Sequence, residues 1–565
     1  MMPEAPKDRG KPPAKGPLPP EFEAELKAFE TTERERLGLA AAPRVQWAEV
    51  LHRKFTLSER AATTILVAGL TRAHDLFLAA ALRPLGYRVE TLPTPDDEAL
   101  QYGKAYCDRS MCNPAYYVVG NLLRHLVRLR DGEGLSAAEI NKRYLSVTAN
   151  GCGPCRYGLY ISQYRKSLRD IGLDGFRVLQ FDQSPEPSRS GEGQGLDLNA
   201  RLLFHVGRAL ILADIVNLLK YRTRPYEREA GATDAAVERS LAHVGAALAQ
   251  GRGLVAALRQ VRREFSALSV DRARIKPKVA IIGEIWAQTT EGDGNYRLPA
   301  FLEEEGAEVE TQPLSVWLLS RFWEPRYDLV HRARMLAGSK GAAGDTLRGK
   351  WWKIPALRAG EGLVRAVFAG AARLCGLRGY ALPSIDELSR ITAPYYDTNQ
   401  KGGEMFLEVG KMLQYSAHHG ANMVVSVKPF GCMPSSSVSD GVQSLVAERH
   451  PETQFVSIET TGDGAVNVYS RLQMHHFKAV QAARGEAERA LAAGAIGSQE
   501  AIEYLHRHPR LNHPLHQSPR LFSCSAANLF HEIGQCPRFR IRRLWRGLTA
   551  RSARTAAQAM ARAVK

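Results

Sequence analysis

The chain has 565 residues, 44 % of them hydrophobic and 24 % charged, a soluble globular composition with length for about three domains and an ample core. The formal net charge is +17, but eight Arg and one Lys with no acid in residues 537–565 supply nine of those charges, so the body is only mildly basic and nucleic acid is disfavoured as a partner. Eight cysteines behind an N-terminus with no apolar leader point to a reducing cytoplasm, where thiols serve metal or redox chemistry rather than disulfides.

In chain order, residues 1–20 read as a flexible Pro/Lys arm and residues 21–60 as helical. Thr64-Ile-Leu-Val-Ala-Gly69 is a short apolar run with β-branched residues, a buried strand. A helix over 73–82 ends at Pro84 and Gly86, and Tyr87–Leu92 returns as a second strand; this β-α-β unit predicts a parallel sheet. Tyr144–Thr148 is a further strand, 157–171 a helix and Phe176–Phe181 a strand. Residues 197–270 carry Leu, Ala and Val at helical spacing. The apolar stretch Leu202–Leu219 contains His205, Arg208 and Asp214, which argues for a core helix and against a membrane span. Lys278–Gly283 then repeats the opening pattern, followed by a loop (Glu284 to Asn295), a helix to Gly306 and the strand Ala307–Thr311. The helix 402–419 leads to the strand Asn422–Val427, and Phe455–Ile458 precedes a helix over 466–491. ILVAG…LGYRVETLP and VAIIG…EGAEVETQP correspond, so two similar α/β domains are expected.

The cysteines carry the chemistry. Cys107 and Cys112 flank one loop, and Cys152 and Cys155 sit in Gly-Cys-Gly-Pro-Cys-Arg between a strand end and a helix start. Cys432 lies in Lys-Pro-Phe-Gly-Cys-Met-Pro at the end of another strand. In parallel α/β sheets that edge collects ligands, and helix N-terminal amides there favour anionic groups. Thiolates are soft ligands suited to iron–sulfur clusters, zinc or Cu(I); a thioredoxin-like redox pair and plain buried cysteines are the alternatives. Cys375 reads as structural, while Cys524 and Cys536 are weak ligand candidates. Glu459 and Asp463, in Glu-Thr-Thr-Gly-Asp-Gly after a strand, are candidate acid/base residues, with a solvated turn as the alternative. His506, His508, His513 and His516 are irregularly spaced and read as a surface loop. No Walker A motif is present, so no ATP site is expected in this chain.

Five ordered blocks carry a family likeness: CDRSMCNPAYYVVGNL, GCGPCRYGLYISQYRKSLRDIGLDGFRV, GEIWAQTTEGDGNYRLPAFLEEEGAEV, KPFGCMPS and ETTGDGAVNVYSRLQM. Over residues 58–485 the chain resembles the 2-hydroxyglutaryl-CoA dehydratase / benzoyl-CoA reductase family, in particular the dehydratase-like half of fused CoA-substrate-specific enzyme activases. The resemblance implies two Rossmann-like parallel-sheet domains facing across an iron–sulfur cleft, with helical segments and flexible basic termini. It implies a [4Fe-4S] cluster, a separate ATP-dependent activator that delivers a low-potential electron, and an acyl-CoA or other small-molecule substrate. That substrate would be reduced through a ketyl radical anion that can expel a β-hydroxyl. Cys112, Cys152 and Cys432 match the motif positions best, with Cys107 and Cys155 close behind; five thiols exceed the four of one cubane and leave a larger cluster open. A homologous subunit or a homodimer is a further expected partner. A non-catalytic electron-transfer or cluster-carrying protein is the rival function.

The expected organisation is an arm and helical segment over 1–57, a first α/β domain over 58–196 and a helical linker over 197–270. A second α/β domain over 271–495 and a His-rich loop with a basic tail over 496–565 complete it. In the tail, Ile541, Leu544, Trp545 and Leu548 share one helical face, opposite Arg542, Arg543 and Arg546, which suits an acidic partner surface.

Overall fold

The computed structural model describes residues 20–38, 55–149, 151, 155–181, 195–335, 351–400, 403–417 and 420–536. Cys152, most of the Cys-Gly-Pro turn and the basic tail lie outside the described residues. The chain divides into two compact units, residues 1–51 and 52–565. In the first, the helix Pro20–Arg36 carries the i,i+4 pair Glu30–Arg34 at 3.2 Å and shows Phe22, Leu26 and Phe29 to solvent.

The second unit is built on two four-stranded parallel sheets. The first contains β1 (Thr64–Val67), β2 (Arg88–Thr91), β3 (Tyr144–Ala149) and β4 (Arg177–Phe181), in the spatial order β2-β1-β3-β4. The second contains β5 (Lys278–Gly283), β6 (Glu308–Thr311), β7 (Met423–Pro429) and β8 (Gln454–Thr460), in the order β6-β5-β7-β8. The register places Ile65 between Val89 and Leu145 in one sheet, and Ile281 between Thr311 and Val425 in the other. In both sheets the chain leaves its first strand toward one edge and returns to start the other half, so each has a switch point between its two middle strands. The two expected α/β halves are therefore present, with the same strand order.

A glycine ends the first strand of each sheet in a conformation other residues avoid: Gly69 at φ +111° and Gly283 at φ +122°. At Gly283 a Cβ would fall 2.0 Å from the Val427 carbonyl oxygen, so only glycine lets β5 lie against β7 there.

The helices over 197–270 are more than a linker. Ala200–Thr223 buries Ala209 through Leu219 without a break. In one cluster it meets Phe77 from the first half, Leu241 and Phe265 from the following helices, and Val316, Phe368 and Val424 from the second half. A helix that is apolar on nearly every side must be enclosed by other elements. By length and composition it could also cross a membrane, but most of that stretch is buried inside the fold. The halves also meet directly, with the Tyr117 and Trp286 rings 5.6 Å apart.

Residues 496–536 are folded, contrary to the loop expected. The helix Ser525–Gln535 packs on the 30-residue helix Ala465–Gly494 through Ala483, Ala487, Ala490, Phe530 and Ile533, and the shorter helix Ser498–Arg507 joins the same cluster with Ala501, Tyr504 and Leu505. The run of small residues lets the backbones close in: a Cβ on Gly534 would stand 2.7 Å from the Gly494 Cα. Two histidines of this region have structural partners. The His508 ring stacks 3.9 Å from Tyr504, and His516 lies 2.9 Å from Glu532.

Candidate functional site

Cys112 is the N-cap of the helix Asn113–Val127, whose second residue is Pro114. Proline suits that position because its missing N–H would have had no partner in the helix. Asn113 ties this helix start to the other half: its N–H donates to the Phe430 carbonyl at 2.9 Å, and its side-chain amide to Thr460 Oγ1 at 3.3 Å. Cys432 follows Phe430 by two residues, on the turn that leaves β7. Between them Gly431 has φ +76°, and a Cβ there would stand 3.3 Å from the Cys112 Cα and 3.2 Å from Arg156 Nη1. The missing side chain thus lets the Cys432 turn lie against the Cys112 backbone.

Cys155 caps the short helical turn Arg156–Leu159 that opens the helix Tyr160–Asp170. Tyr160 reaches back, its hydroxyl 3.1 Å from Cys112 Sγ. The Cys155 thiol is pushed up to about 12, first by burial and then by the charges of Glu284 and Cys112. Burial likewise raises Cys112 and Cys432, and each also feels Glu284. Cys112, Cys155 and Cys432 therefore share one electrostatic neighbourhood, on loops from both halves.

Cys107 is placed differently. It caps the end of the helix Asp97–Tyr106 and its Sγ lies 3.9 Å from Ser167 Oγ. Burial pushes it up to about 12, and the charged groups that act on it are Lys166 and Asp108, not the other thiols. Cys375 is fully buried in the helical core; Cys524 and Cys536 belong to the C-terminal cluster.

Three carboxylates stand around the shared thiols. Glu284 caps the helix Ile285–Thr289, accepting from the Ala287 N–H at 2.8 Å, and its own N–H donates to the Val427 carbonyl at 3.0 Å. Glu408 is buried, with Oε1 accepting from Ser435 Oγ at 2.8 Å and Oε2 without a hydrogen-bond partner among the described residues. Ser435 Oγ in turn accepts from the Cys432 thiol at 3.4 Å. Burial pushes Glu404 up to about 8, reinforced by Glu284 and Glu408. Burial and Glu284 take Glu408 to about 7, against the opposing Ser435 hydrogen bond and Lys428. In this pocket desolvation outweighs the opposing charges of Lys428 on Glu408 and of Arg321 on Glu404. Among the described residues, no three His, Cys, Asp or Glu side chains converge as they would on one metal ion.

Glu459 and Asp463 are the two candidate acid/base residues of the sequence. Glu459 lies at the end of β8 in register with Lys428. Asp463 is exposed and accepts from Thr461 Oγ1 at 2.6 Å, a bond that favours its charged form and lowers its pKa from the ordinary carboxylate value. This is the solvated turn. Asn295 is fully buried and donates to the Ala287 and Thr290 carbonyls at 2.7 and 2.9 Å, so it staples its loop.

Glu404, Glu408, Ser435 and Tyr160 are absent from the sequence-derived set. The available signal was Glu404-x-x-x-Glu408 at the start of an otherwise apolar helix, since like charges four apart destabilise a helix. No family model and no curated protein matches this chain.

Proposed function

We propose that the chain is an iron–sulfur component resembling 2-hydroxyacyl-CoA dehydratases. In this reading it is a cytoplasmic protein that takes low-potential electrons from a separate ATP-dependent activator. It passes them to an acyl-CoA or a related small molecule, in a reductive dehydration or a reduction. The observation that carries the reading is the approach of the Cys432 turn to Cys112, with Cys155 alongside, at the switch-point edges of two like sheets. Cys112, Cys155 and Cys432 would hold a [4Fe-4S] cluster, with Cys152 next to them in sequence; Cys107, turned toward Ser167, is the weakest of the five. A cubane offers a different iron to each thiolate, so its ligands stand wider apart than the donors of a single ion. A spread set of thiols is compatible with a cluster of that kind.

When bound, the cluster supplies the low-potential electron. The residues around it exclude water and hold protons. Glu404 and Glu408 keep theirs near neutral pH, and Ser435 links Glu408 to the Cys432 side of the site. A protonated acid there can meet a departing hydroxyl. The Tyr160 hydroxyl and the N-terminus of the helix after Cys112 stabilise thiolate there once a cation offsets burial.

The test is anaerobic purification followed by iron and acid-labile sulfide analysis. Iron and sulfide together are expected; stoichiometric zinc without sulfide, or no metal, would overturn the reading. Turnover of a 2-hydroxyacyl-CoA in the presence of an activator ATPase separates the enzyme from a non-catalytic electron carrier, which would hold the cluster and show no turnover.

A further inference from the structure

A second site lies on the far edge of the second sheet. A cavity of about 80 Å³ runs along β6, roofed by the helix Ala200–Thr223 and by the C-terminal segment Gln517–Asn528. One water needs roughly 10–15 Å³ measured this way, so there is space for several waters or one small anion, and none for a nucleotide or a CoA arm. The walls carry four cations, Arg222, Arg272, Lys278 and Arg520, against two carboxylates, Glu308 and Glu310.

Both carboxylates are already engaged. Glu308 takes the Tyr226 hydroxyl at 2.7 Å and Lys278 Nζ at 3.4 Å. Glu310 takes the Tyr415 hydroxyl at 3.0 Å, with Lys278 Nζ at 3.9 Å and a favourable interaction with the buried Lys411. Those lysines balance the acids and leave the three arginines in excess. Arg222 donates to the His516 carbonyl and Arg272 to that of Pro514, and neither has a carboxylate in ion-pair contact among the described residues. Arg520, exposed at the mouth, lies over the Tyr380 ring at 5.9 Å. Burial and the repulsion of Arg272 and Arg520 pull Arg222 down to about 9. Glu308 and Glu310 act on these arginines but are outnumbered by them, and guanidinium groups in excess within a cavity are costly unless an anion completes them. The N-terminal residue of the helix Ser525–Gln535 also lines the cavity, adding its share of positive potential.

We propose that this cavity binds a small tetrahedral oxyanion of the phosphate class, held by Arg222, Arg272 and Arg520. The arginine fork matches two phosphate oxygens at once. The site is separate from the cysteine neighbourhood, and its test does not depend on the cluster.

The experiment is calorimetric titration of the full-length protein with inorganic phosphate, at constant ionic strength set with chloride. Saturable binding is expected. Arg520→Gln, which alters an exposed side chain at the mouth, weakens it by about tenfold, the loss of one charge-assisted contact. Arg222→Gln is the second variant. Glycerol phosphate in competition separates the sources: tighter binding than phosphate marks a phosphomonoester ligand, and weaker binding marks free phosphate. No heat beyond the chloride control, or unchanged affinity in Arg520→Gln, would overturn the proposal.

Discussion

The two sheets share strand order, strand direction and the glycine that ends their first strands, yet they are embedded differently. Every residue of β5 and β7 is buried, whereas β1, β2 and β3 each keep partly or fully exposed positions. The cause lies in the crossovers. Between β2 and β3 the chain inserts three helices, the last only seven residues long. Between β6 and β7 it inserts Leu314–Met335, Lys353–Cys375, Ile385–Thr392 and Met405–Ala417. The second half is thus a scaffold with a thick helical cover, and it contributes one thiol and all three carboxylates of the candidate site. The first half contributes the remaining thiols from loops on a thinner support. Equal topology therefore does not give equal roles; what covers each sheet decides which half carries desolvated acids.

The largest effect that can test this division is loss of the metal. Cys432→Ala from the second half and Cys112→Ala from the first should each abolish bound iron and sulfide, while Cys107→Ala and Cys375→Ala retain both. If Cys112→Ala keeps its iron and Cys432→Ala does not, the site belongs to the second half alone.

Next is the pH response of Glu408. Its folded value of about 7 stands above the ordinary carboxylate value of 4.5. Well below pH 4.5 it is protonated folded and unfolded, and its contribution is complete. As pH climbs toward 7 the unfolded chain releases the proton first, so stability falls by up to about 1.4 kcal/mol per pH unit, on the order of 3 kcal/mol in all. Denaturant melts of the metal-free protein at pH 5 and pH 8 should show this fall, and Glu408→Gln should shrink it. An unchanged difference in the variant would mean that Glu408 is solvated.

A core truncation compares the sheets directly. Val425→Ala in fully buried β7 should cost about 2 kcal/mol, whereas Val147→Ala in partly exposed β3 should cost less than about 1 kcal/mol. Equal shifts in urea midpoint would show that the sheets are equally supported. A similarly small effect on stability is expected from Gly431→Ala, which puts a side chain at φ +76° against Cys112. It should cost about 1 kcal/mol and, more tellingly, lower iron retention during desalting. A variant with wild-type iron retention would show that the close approach is dispensable.

Much of the architecture is legible in the residues. Short β-branched runs ending in glycine, each followed by helical spacing, give the parallel strands, because a strand buried on both faces needs a continuous apolar run. The match of Thr64–Gly69 with Lys278–Gly283 likewise anticipated the repeated strand order. Leu202–Leu219 is legible as a core helix, but periodicity reports an apolar helix without its neighbours, so the packing of residues 197–270 against both halves is not. The region 496–536 was misjudged because Pro, His and Arg dominate its composition, while its packing rests on Ala and Gly contacts that composition does not reveal.

For the site, sequence alone determined which residues could ligate: soft thiols beside Gly and Pro at strand ends. Tertiary structure decided which of them meet. Cys107 and Cys112 are five positions apart, yet a helix end and a helix start aim one at Ser167 and the other at Tyr160. Glu408 and Cys432 are distant in sequence, yet one serine joins them. Spacing fixes residue type and local direction, but desolvation is a sum over everything packed nearby. The raised acids around the cysteines and the surplus of arginines beside β6 therefore emerge only when the chain has closed on itself.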